Sequence, residues 1–564
     1  MLDTTPVLPP TYYLDNFQRL IDHAQQWYSD LLTPQEREWM TRFVALPSPS
    51  RCALVRMFSR KGHWFRSDKL NYQEIEDFDL QLVRLTEQGF IRSSFANKSS
   101  ASHQSSSNHP SNFCHQETHP RLTCIELASE LLTKPEVIQT FPELSSHRSA
   151  RKDVLLEKLS DDPFTDFEQL PFVCVELLQP DLIDLLLVLF FGNTHQDLSQ
   201  FVLSDLGLNI FEPVSISLES RFFQNRAQVD ELLALHEVQQ HYYQLTSKSS
   251  SQLSALLESM PKESEHPTLV RRRSRLINLI ARDLERLEEY ELALHYFRQS
   301  HLPPSRERQA RIHDKLNQVE TMSDVVTDII QHPLDIAELE VAQKLEQRVQ
   351  RLQGHKVPRA KKPSCVNEHL ELDLSTVRVE EAVRLNRQEQ GWDCYFSENT
   401  FLNGLFGLAF WDVIFAEVEC AFINQYQYRP LDLYHDDFVS KRANLIAQVL
   451  DALEQQGARI LLDTFDAKQG VANPFVQWGY FSKELLLQAI DHIPTSLLIE
   501  LFRVLLKDLK LYRTGMPDLI AFNDDGFQWI EVKGPGDKLQ DNQWRWIKEF
   551  ERLEIPFSVC WVNH

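Results

Sequence analysis

Two short apolar segments near the C-terminus are separated by a tight polar turn. Residues 519–522 and 527–532 are rich in branched and aromatic side chains and are too short for helices, so the sequence predicts two β-strands. The intervening residues 523–526 read Asn-Asp-Asp-Gly. A two-residue hairpin loop there can consist of either Asp524-Asp525 or Asp525-Gly526. The segment is therefore constrained to a hairpin with one of two registers.

Three ionisable side chains lie on one face of this hairpin in either register. Asp518 is opposite Glu531 with the first loop and opposite Lys533 with the second, because strand side chains alternate with a period of two. Paired carboxylates suit a hard divalent cation, and the backbone carbonyl of Val532 can add a ligand. Such a cation activates water beside a phosphodiester, and Lys533 can orient that water. The alternative is a surface hairpin with an ordinary salt bridge.

The residues after Lys533 extend this pattern. Asp537 and Gln540 have the spacing of a capping box and predict a helix over residues 542–553, and the apolar residues 555–562 predict a returning strand. Strand, strand, helix and strand form the core of a restriction-endonuclease-like fold. The runs at 515–519 (Gly-Met-Pro-Asp-Leu), 531–535 (Glu-Val-Lys-Gly-Pro) and 558–562 (Ser-Val-Cys-Trp-Val) resemble the VRR-NUC family of PD-(D/E)xK nucleases. The resemblance implies catalytic roles for Asp518, Glu531 and Lys533, and adds Gln543.

A third carboxylate is expected from an upstream helix. Residues 397–401 read Ser-Glu-Asn-Thr-Phe and precede the apolar residues 405–415, with Asn399 or Thr400 as the predicted cap. Glu398 can reach a metal from there or can complement the helix dipole, and the pair Glu380 and Glu381 is an alternative source. The segment, together with Gly-Leu-Ala-Phe-Trp-Asp at 407–412, resembles the acidic element of the Fanconi-associated nuclease family. This resemblance favours Glu398 as catalytic residue and metal ligand.

The likeness extends over most of the chain. Residues 190–207 resemble the central region of that family, and residues 59–66 resemble the N-terminal domain of its bacterial members. The resemblance implies a structure-specific DNase that cuts 5′ flaps and degrades DNA from 5′ ends with Mg²⁺ or Mn²⁺ in interstrand-crosslink repair. No cysteine pair has Cys-x-x-Cys spacing, so the zinc finger of the animal members is absent. The alternatives are a Holliday-junction-type resolvase and a non-catalytic repair scaffold.

Charge and composition limit the other possibilities. The net charge of -23 argues against a protein that coats DNA, since phosphate neutralisation dominates non-specific binding. The longest apolar run, residues 182–191, is broken by Asp184 and is too short to span a membrane. No signal peptide is evident, and the scattered cysteines indicate a reducing compartment. We expect a cytoplasmic, nucleoid-associated monomer or weak dimer that binds branched DNA and no membrane.

The pattern along the 564 residues predicts a multi-domain protein. Its N-terminal and central regions are expected to be mostly α-helical, followed by a C-terminal α/β nuclease domain with a restriction-endonuclease-like fold. The predicted parts are a helical N-terminal domain (1–95), a flexible Ser/His-rich insertion (96–121), a SAP-like DNA-binding module (122–163), a tetratricopeptide-like helical domain that offers a surface for protein partners (164–372) and the VRR-NUC domain (373–564).

Basic side chains in each part are candidates for DNA contact. In the N-terminal domain they are interleaved with aromatic residues, a pattern that fits backbone contact and base stacking. The central arginines can instead pair with nearby glutamates. The family resemblance implies a pocket of basic residues for a 5′ phosphate, either around Lys510 and Arg513 or at Arg271, Arg272 and Arg273. The candidates are Arg60, Lys61, Arg66, Lys134, Arg151, Lys152, Arg271, Arg272, Arg273, Lys510 and Arg513.

Overall fold

The computed structural model describes residues 9–60, 62–94, 121–193, 196, 201, 209–262, 265–358 and 363–563. The chain divides into two compact units, Met1–Leu208 and Asn209–His564. The predicted insertion at 96–121 lies outside the described residues except for Arg121, and so does Lys61. Within the described residues no single helix is long and apolar enough to cross a membrane. One pair bent by 112°, Lys483–His492 with Thr495–Lys507, meets that test by length and composition only.

The first unit is mainly helical, as predicted. Its α-helices begin where the sequence supplies caps; Thr33, for example, accepts a hydrogen bond from Glu36 N–H and Pro34 occupies the first turn. Leu127, Val137 and Leu155 are buried in the core of the SAP-like part. The helices are Tyr12–Tyr28, Pro34–Ala45, Ser48–Phe58, Phe78–Glu87, Cys124–Glu126 continued by the π-turn Leu127–Leu131, Lys134–Thr140, Lys152–Leu156 and Asp181–Phe191.

A small antiparallel sheet completes the first unit. Its strands are β1 (Trp64–Arg66), β2 (Ile91–Ser93) and β3 (Cys174–Leu177), in the order β1-β3-β2. The helix Asp181–Phe191 then packs on Tyr12–Tyr28, where the rings of Phe190 and His23 lie 4.8 Å apart. The predicted domain boundary at residue 164 is therefore wrong, because β3 pairs with strands of the N-terminal part.

The second unit begins with a series of helices, each packed on its neighbours. Leu253, Ile280 and Phe297 are fully buried between them, so the apolar periodicity of this region is explained by core packing. A tetratricopeptide-like role in binding protein partners stays a prediction. These helices are Arg226–Gln244, Ser250–Glu258, Pro267–Arg286, Tyr290–Phe297, Ser305–Lys315, Val319–Gln331 and Ile336–Leu352.

A five-stranded mixed sheet organises the rest of the second unit. Its strands are β4 (Val366–Glu371), β5 (Asp393–Phe396), β6 (Leu519–Asn523), β7 (Gly526–Lys533) and β8 (Phe557–Asn563), in the order β4-β8-β7-β6-β5. β8 runs parallel to β4 and β7, and the other pairs are antiparallel. The sheet includes β4, so the predicted domain start at 373 is too late: the mostly polar edge strand gave no apolar signal.

Helices cover both faces of this sheet. Ile520, Phe522 and Trp529 face a large core that includes Trp546 and Phe550 of the last helix. The opposite face, with Leu519 and Ile530, packs on a smaller core. The helices of this part are Val379–Glu389, Phe401–Ala409, Trp411–Ile414, Phe438–Lys441, Ala443–Gln456, Ile460–Lys468, Lys483–His492, Thr495–Lys507, Leu509–Tyr512 and Asp541–Arg552.

Candidate active site

The hairpin adopts the first of the two predicted registers. Leu519 pairs with Ile530 and Asn523 pairs with Gly526, so Asp524-Asp525 is the two-residue loop. Oδ1 of Asn523 accepts hydrogen bonds from the backbone N–H groups of Asp525 and Gly526, which closes the turn at this position. When this register is extended by one residue, Asp518 lies opposite Glu531.

Asp518, Glu531 and Lys533 lie together at the end of the large-core face of the sheet. Nζ of Lys533 lies 2.6 Å from Oε1 of Glu531, and both side chains are buried. The backbone N–H of Val532 donates a 2.8 Å hydrogen bond to Oδ2 of Asp518. Nε2 of Gln543 donates to the same Oε1 of Glu531. All four side chains predicted from this segment are therefore brought together.

Burial and like charge raise the pKa of both carboxyl groups. Burial raises the pKa of Asp518 to about 6, against the lowering effects of the Val532 N–H and the charge of Lys533. Burial, and then the charge of Asp518, raises the pKa of Glu531 to about 8, although Lys533 again opposes the shift. The site therefore disfavours the loss of a proton from either carboxyl group, and an additional positive charge would oppose this effect.

Glu398 lies in a turn that is hydrogen-bonded to the residues just before β6. Ser397, which is fully buried, donates from Oγ to the carbonyl of Pro517 and from its backbone N–H to the carbonyl of Asp518, both at 2.8 Å. The charge of Glu398 contributes to the raised pKa values of Asp518 and Glu531, which places it near both. Its exposed carboxylate accepts a 3.1 Å hydrogen bond from Nδ2 of Asn399.

The helix cap predicted beside Glu398 is only partly correct. Thr400 occupies the N-cap position of Phe401–Ala409, but its side chain makes no capping hydrogen bond. Asn399 adopts a left-handed conformation with φ of 52° and bonds to Glu398, so it does not cap the helix. Of the alternative carboxylates, Glu381 is paired with Arg384 at 2.6 Å, whereas the charge of Glu380 still contributes to the raised pKa of Asp518.

Two buried polar residues that hold the site were missed by the sequence reasoning. Ser397 is one; the other is Asn403, whose Nδ2 donates to the carbonyls of Asn399 at 2.7 Å and Arg513 at 2.9 Å. Asn403 thereby connects the Glu398 turn to the segment that leads into β6. The signal was available, because a lone asparagine in an otherwise apolar helix usually satisfies backbone groups of a neighbouring loop.

The last helix is fixed close to the carboxylates. Trp546 Nε1 donates to the carbonyls of Tyr512 and Thr514, both at 3.1 Å, and Gly515 approaches so closely that an added Cβ would lie 2.7 Å from the backbone of Asn542. The predicted capping box is shifted: Gln540 is the N-cap, with Gln543 as its partner. Asp537 instead accepts a hydrogen bond from the N–H of Gly534 and closes the preceding turn.

The side chains present fit a divalent cation. Asp518 and Glu531 supply hard oxygen donors, and a cation between them would relieve the repulsion that raises both pKa values. Among the described residues, no group of three or more His, Cys, Asp or Glu side chains has the arrangement of a metal site. The carboxylate of Glu398 is hydrogen-bonded to Asn399 and does not complete a group of three with Asp518 and Glu531.

Arg66, a predicted DNA contact, is fully engaged within the first unit. Its five N–H groups are all used: they donate to Asp68, to Glu136 and to the carbonyl of Leu131. Its guanidinium carbon also lies 3.9 Å from the centre of the Phe172 ring. Arg66 therefore stabilises the first unit and has no donor left for a phosphate.

The other basic candidates of the first unit differ in availability. Arg60 and Arg151 are exposed, and Lys134 is half-buried. Nζ of Lys152 donates to the carbonyl of Ser129 at 2.8 Å, which keeps one of its three donors occupied. These residues stay predictions as DNA contacts.

The candidates of the second unit are mostly engaged with the protein. Arg271 pairs with Asp436 at 2.8 Å, Arg273 donates to the carbonyl of Pro261, and burial lowers the pKa of Arg272. Lys510 and Arg513 are exposed. Arg513 donates from Nη1 to the hydroxyl of Tyr434 at 2.9 Å.

Three family models match this chain. They are described as the FAN1 HTH domain (residues 11–92), the Fanconi anemia-associated nuclease SAP domain (residues 125–169) and the VRR-NUC domain (residues 453–564). The VRR-NUC match covers β6, β7, β8 and the last helix. Glu398 lies outside that match, so its association with the site comes from the fold.

Curated relatives match along nearly the whole chain. A Fanconi-associated nuclease 1 homolog of Pseudomonas aeruginosa is 34% identical over 99% of this chain and 97% of the relative. The Oryza sativa homolog is 27% identical over 98% of this chain and 63% of its own length. Human Fanconi-associated nuclease 1 is 24% identical over 98% of this chain and 62% of its own length.

Solved structures agree with these relatives. The crystal structure of paFAN1 bound to a 5′-flap DNA with a two-nucleotide flap and a gap has a TM-score of 0.82 and 34% identity, and the match covers 99% of both chains. The complex with a one-nucleotide flap has a TM-score of 0.81 and 33% identity. The chain therefore belongs to the Fanconi-associated nuclease family, and it is a structure-specific, metal-dependent DNA nuclease with a C-terminal VRR-NUC domain.

Proposed function

We propose that the protein is a 5′-flap endonuclease and 5′-to-3′ exonuclease that acts on branched DNA in interstrand-crosslink repair. The observation that carries the proposal is the buried group of Asp518, Glu531 and Lys533, in which a lysine lies 2.6 Å from a carboxylate of raised pKa. The choice of substrate is supported by one relative of nearly full coverage, paFAN1, whose two crystal structures are described as bound to 5′-flap DNA.

Mg²⁺ or Mn²⁺ is the proposed cofactor. Asp518 and Glu531 would hold it, with Glu398 and the backbone carbonyl of Val532 as further ligands, because both ions prefer oxygen donors. When bound, the metal supplies a water of lowered pKa and offsets negative charge on the reacting phosphate. Ligation of Glu398 requires its carboxylate to leave Nδ2 of Asn399, an exposed hydrogen bond that costs little to break.

The protein side chains then have distinct tasks. Lys533 supplies up to three N–H donors at a buried position and can hold the attacking water in line with the phosphate. Gln543 keeps Oε1 of Glu531 oriented through its amide N–H. The hydrogen bond from the Val532 N–H occupies Oδ2 of Asp518, so Oδ1 is the oxygen that would be available to a metal.

DNA is proposed to be held by basic side chains outside this group, most of them exposed. The candidates that remain available are Arg60, Lys134, Arg151 and Lys152 of the first unit and Lys510 and Arg513 of the second. In a chain of net charge -23, most of the surface repels the DNA backbone, so only local basic contacts can bind it. Such contacts favour a branched site over a long stretch of plain duplex. Action on chromosomal DNA from a cytoplasmic, nucleoid-associated position is part of the same proposal.

A cleavage assay on defined DNA structures tests this function. The full chain is incubated with Mg²⁺ or Mn²⁺ and with 5′-flap, 3′-flap, duplex and four-way-junction DNA, each labelled in turn on every strand. The proposal predicts cuts close to the branch of the 5′ flap and stepwise shortening from 5′ ends. Paired symmetric nicks on the four-way junction would indicate a resolvase, and binding without any cleavage would indicate a scaffold.

A further inference from the structure

Two arginines and two tyrosines form a cluster in the second unit that we call the tyrosine–arginine cluster: Tyr428, Arg429, Tyr434 and Arg513. The guanidinium carbons of Arg429 and Arg513 lie 5.2 Å and 5.1 Å from the centre of the Tyr434 ring. Arg513 also donates to the Tyr434 hydroxyl at 2.9 Å, and Arg429 lies 5.4 Å from the centre of the Tyr428 ring. Two cationic groups therefore share one aromatic ring.

The cluster lies beside the proposed active site. Nδ2 of Asn403 donates both to the carbonyl of Asn399, the neighbour of Glu398, and to the carbonyl of Arg513. The same segment continues from Arg513 into Asp518. The backbone of the cluster is therefore joined both to the turn of Glu398 and to the segment that carries Asp518.

The two arginines lack a carboxylate partner in the part of the chain that the structure describes. The acids near Tyr434 are occupied by other cations: the pairs are Asp432 with Arg442 at 2.6 Å, Asp436 with Arg271 at 2.8 Å and Asp437 with Lys441 at 2.7 Å. Uncompensated positive charge in a chain of net charge -23, close to carboxylates, points to an anion from outside the protein. Tyr428, a residue that is 46% exposed, adds an aromatic ring for stacking.

We propose that the tyrosine–arginine cluster binds unpaired nucleotides of the DNA strand that is being cut. Basic side chains beside exposed aromatic rings bind single strands, because bases stack on the rings and on guanidinium planes while the cations contact phosphates. In a fully paired duplex the base faces are covered, so the cluster gains little from it. The inference rests on the proposed nuclease function but makes a separate claim about binding.

Binding without cleavage tests the proposal. Fluorescence anisotropy of the full chain in EDTA is measured with a labelled 5′-flap DNA and with the same duplex lacking the unpaired tail. Arg429→Gln and Tyr428→Ala are each expected to weaken flap binding about tenfold and duplex binding less than about twofold. Arg429→Lys should recover only part of the loss, because lysine keeps the charge but not the planar surface.

Matched controls make the outcomes separable. Arg459→Gln removes the same charge from an exposed pair with Asp491 and should leave both affinities unchanged. Equal weakening on flap and duplex, no weakening by either variant, or weakening only when the flap carries a 5′ phosphate would overturn the proposal. The wild-type chain could prefer the flap through this cluster and yet never cut it with metal. In that case the proposed nuclease function fails, while the inference about binding stands.

Discussion

The backbone N–H of Val532 donates a 2.8 Å hydrogen bond to Oδ2 of Asp518 across the hairpin. Asp518 is therefore positioned by the strand that carries Glu531 and Lys533, rather than by the exposed turn that joins the two strands. The relative positions of the three side chains depend on sheet register, which the buried apolar residues of both faces fix.

Replacing Lys533 separates chemistry from binding. Lys533→Ala removes the donor next to Glu531 but leaves the exposed basic residues intact, so the cleavage rate should fall at least about 100-fold while flap affinity changes less than about twofold. Single-turnover rates and anisotropy measure the two quantities. Wild-type cleavage by this variant would remove Lys533 from the mechanism.

The carboxyl groups predict a pH-dependent stability of the metal-free protein. The pKa values of Asp518 and Glu531 are raised to about 6 and about 8 in the folded state. A group with a raised folded-state pKa contributes stability below its unfolded value and loses that contribution as the pH rises through the folded value. The wild-type Tm should therefore fall relative to that of Glu531→Gln between about pH 5 and about pH 9.

Metal provides the control for this pH effect. Saturating Mn²⁺ should raise the Tm of the wild-type protein most at high pH, because protons no longer compete with the metal for the carboxylates, and should raise that of Glu531→Gln much less. Differential scanning fluorimetry in EDTA and in Mn²⁺ measures both. A Tm difference that does not change with pH would contradict the proposed carboxyl pair.

Gly515 is expected to be intolerant of a side chain. Its φ of 89° is left-handed, and an added Cβ would lie 2.7 Å from the backbone of Asn542, next to Gln543. Gly515→Ala should cost about 2 kcal/mol of unfolding free energy and lower the cleavage rate by displacing the last helix. Urea unfolding measures the cost. Gly479→Ala, where a Cβ meets nothing within 4 Å, is the matched control.

The core of the site was predictable from sequence because its residues are close to one another along the chain. Asp518, Glu531 and Lys533 belong to one hairpin, and a period of two places them on one face whichever loop is used. Gln543 follows on the next helix. Glu398 needed the family resemblance, because its proximity to the hairpin comes from the buried hydrogen bonds of Ser397 and Asn403, which join distant segments.

The parts that were mispredicted depend on non-local pairing. β4 is mostly polar and exposed, so no apolar alternation marks it as the edge strand parallel to β8. β3 belongs to the first unit, where it pairs with β1 and β2, which are remote from it in sequence. Arg66 looked like a basic residue in a DNA-binding pattern, but its acidic partner Glu136 is remote in sequence.

Metal-dependent cleavage of a 5′-flap DNA by three proteins tests the central claim most directly. The wild-type chain and Asp524→Ala, which alters an exposed loop residue of the same hairpin, should both cut with Mg²⁺ or Mn²⁺ and not in EDTA. Asp518→Ala should bind the flap but leave it uncut. Cleavage by Asp518→Ala at the wild-type rate, or cleavage by the wild-type chain in EDTA, would contradict the assignment of Asp518 and Glu531 as the metal-binding pair.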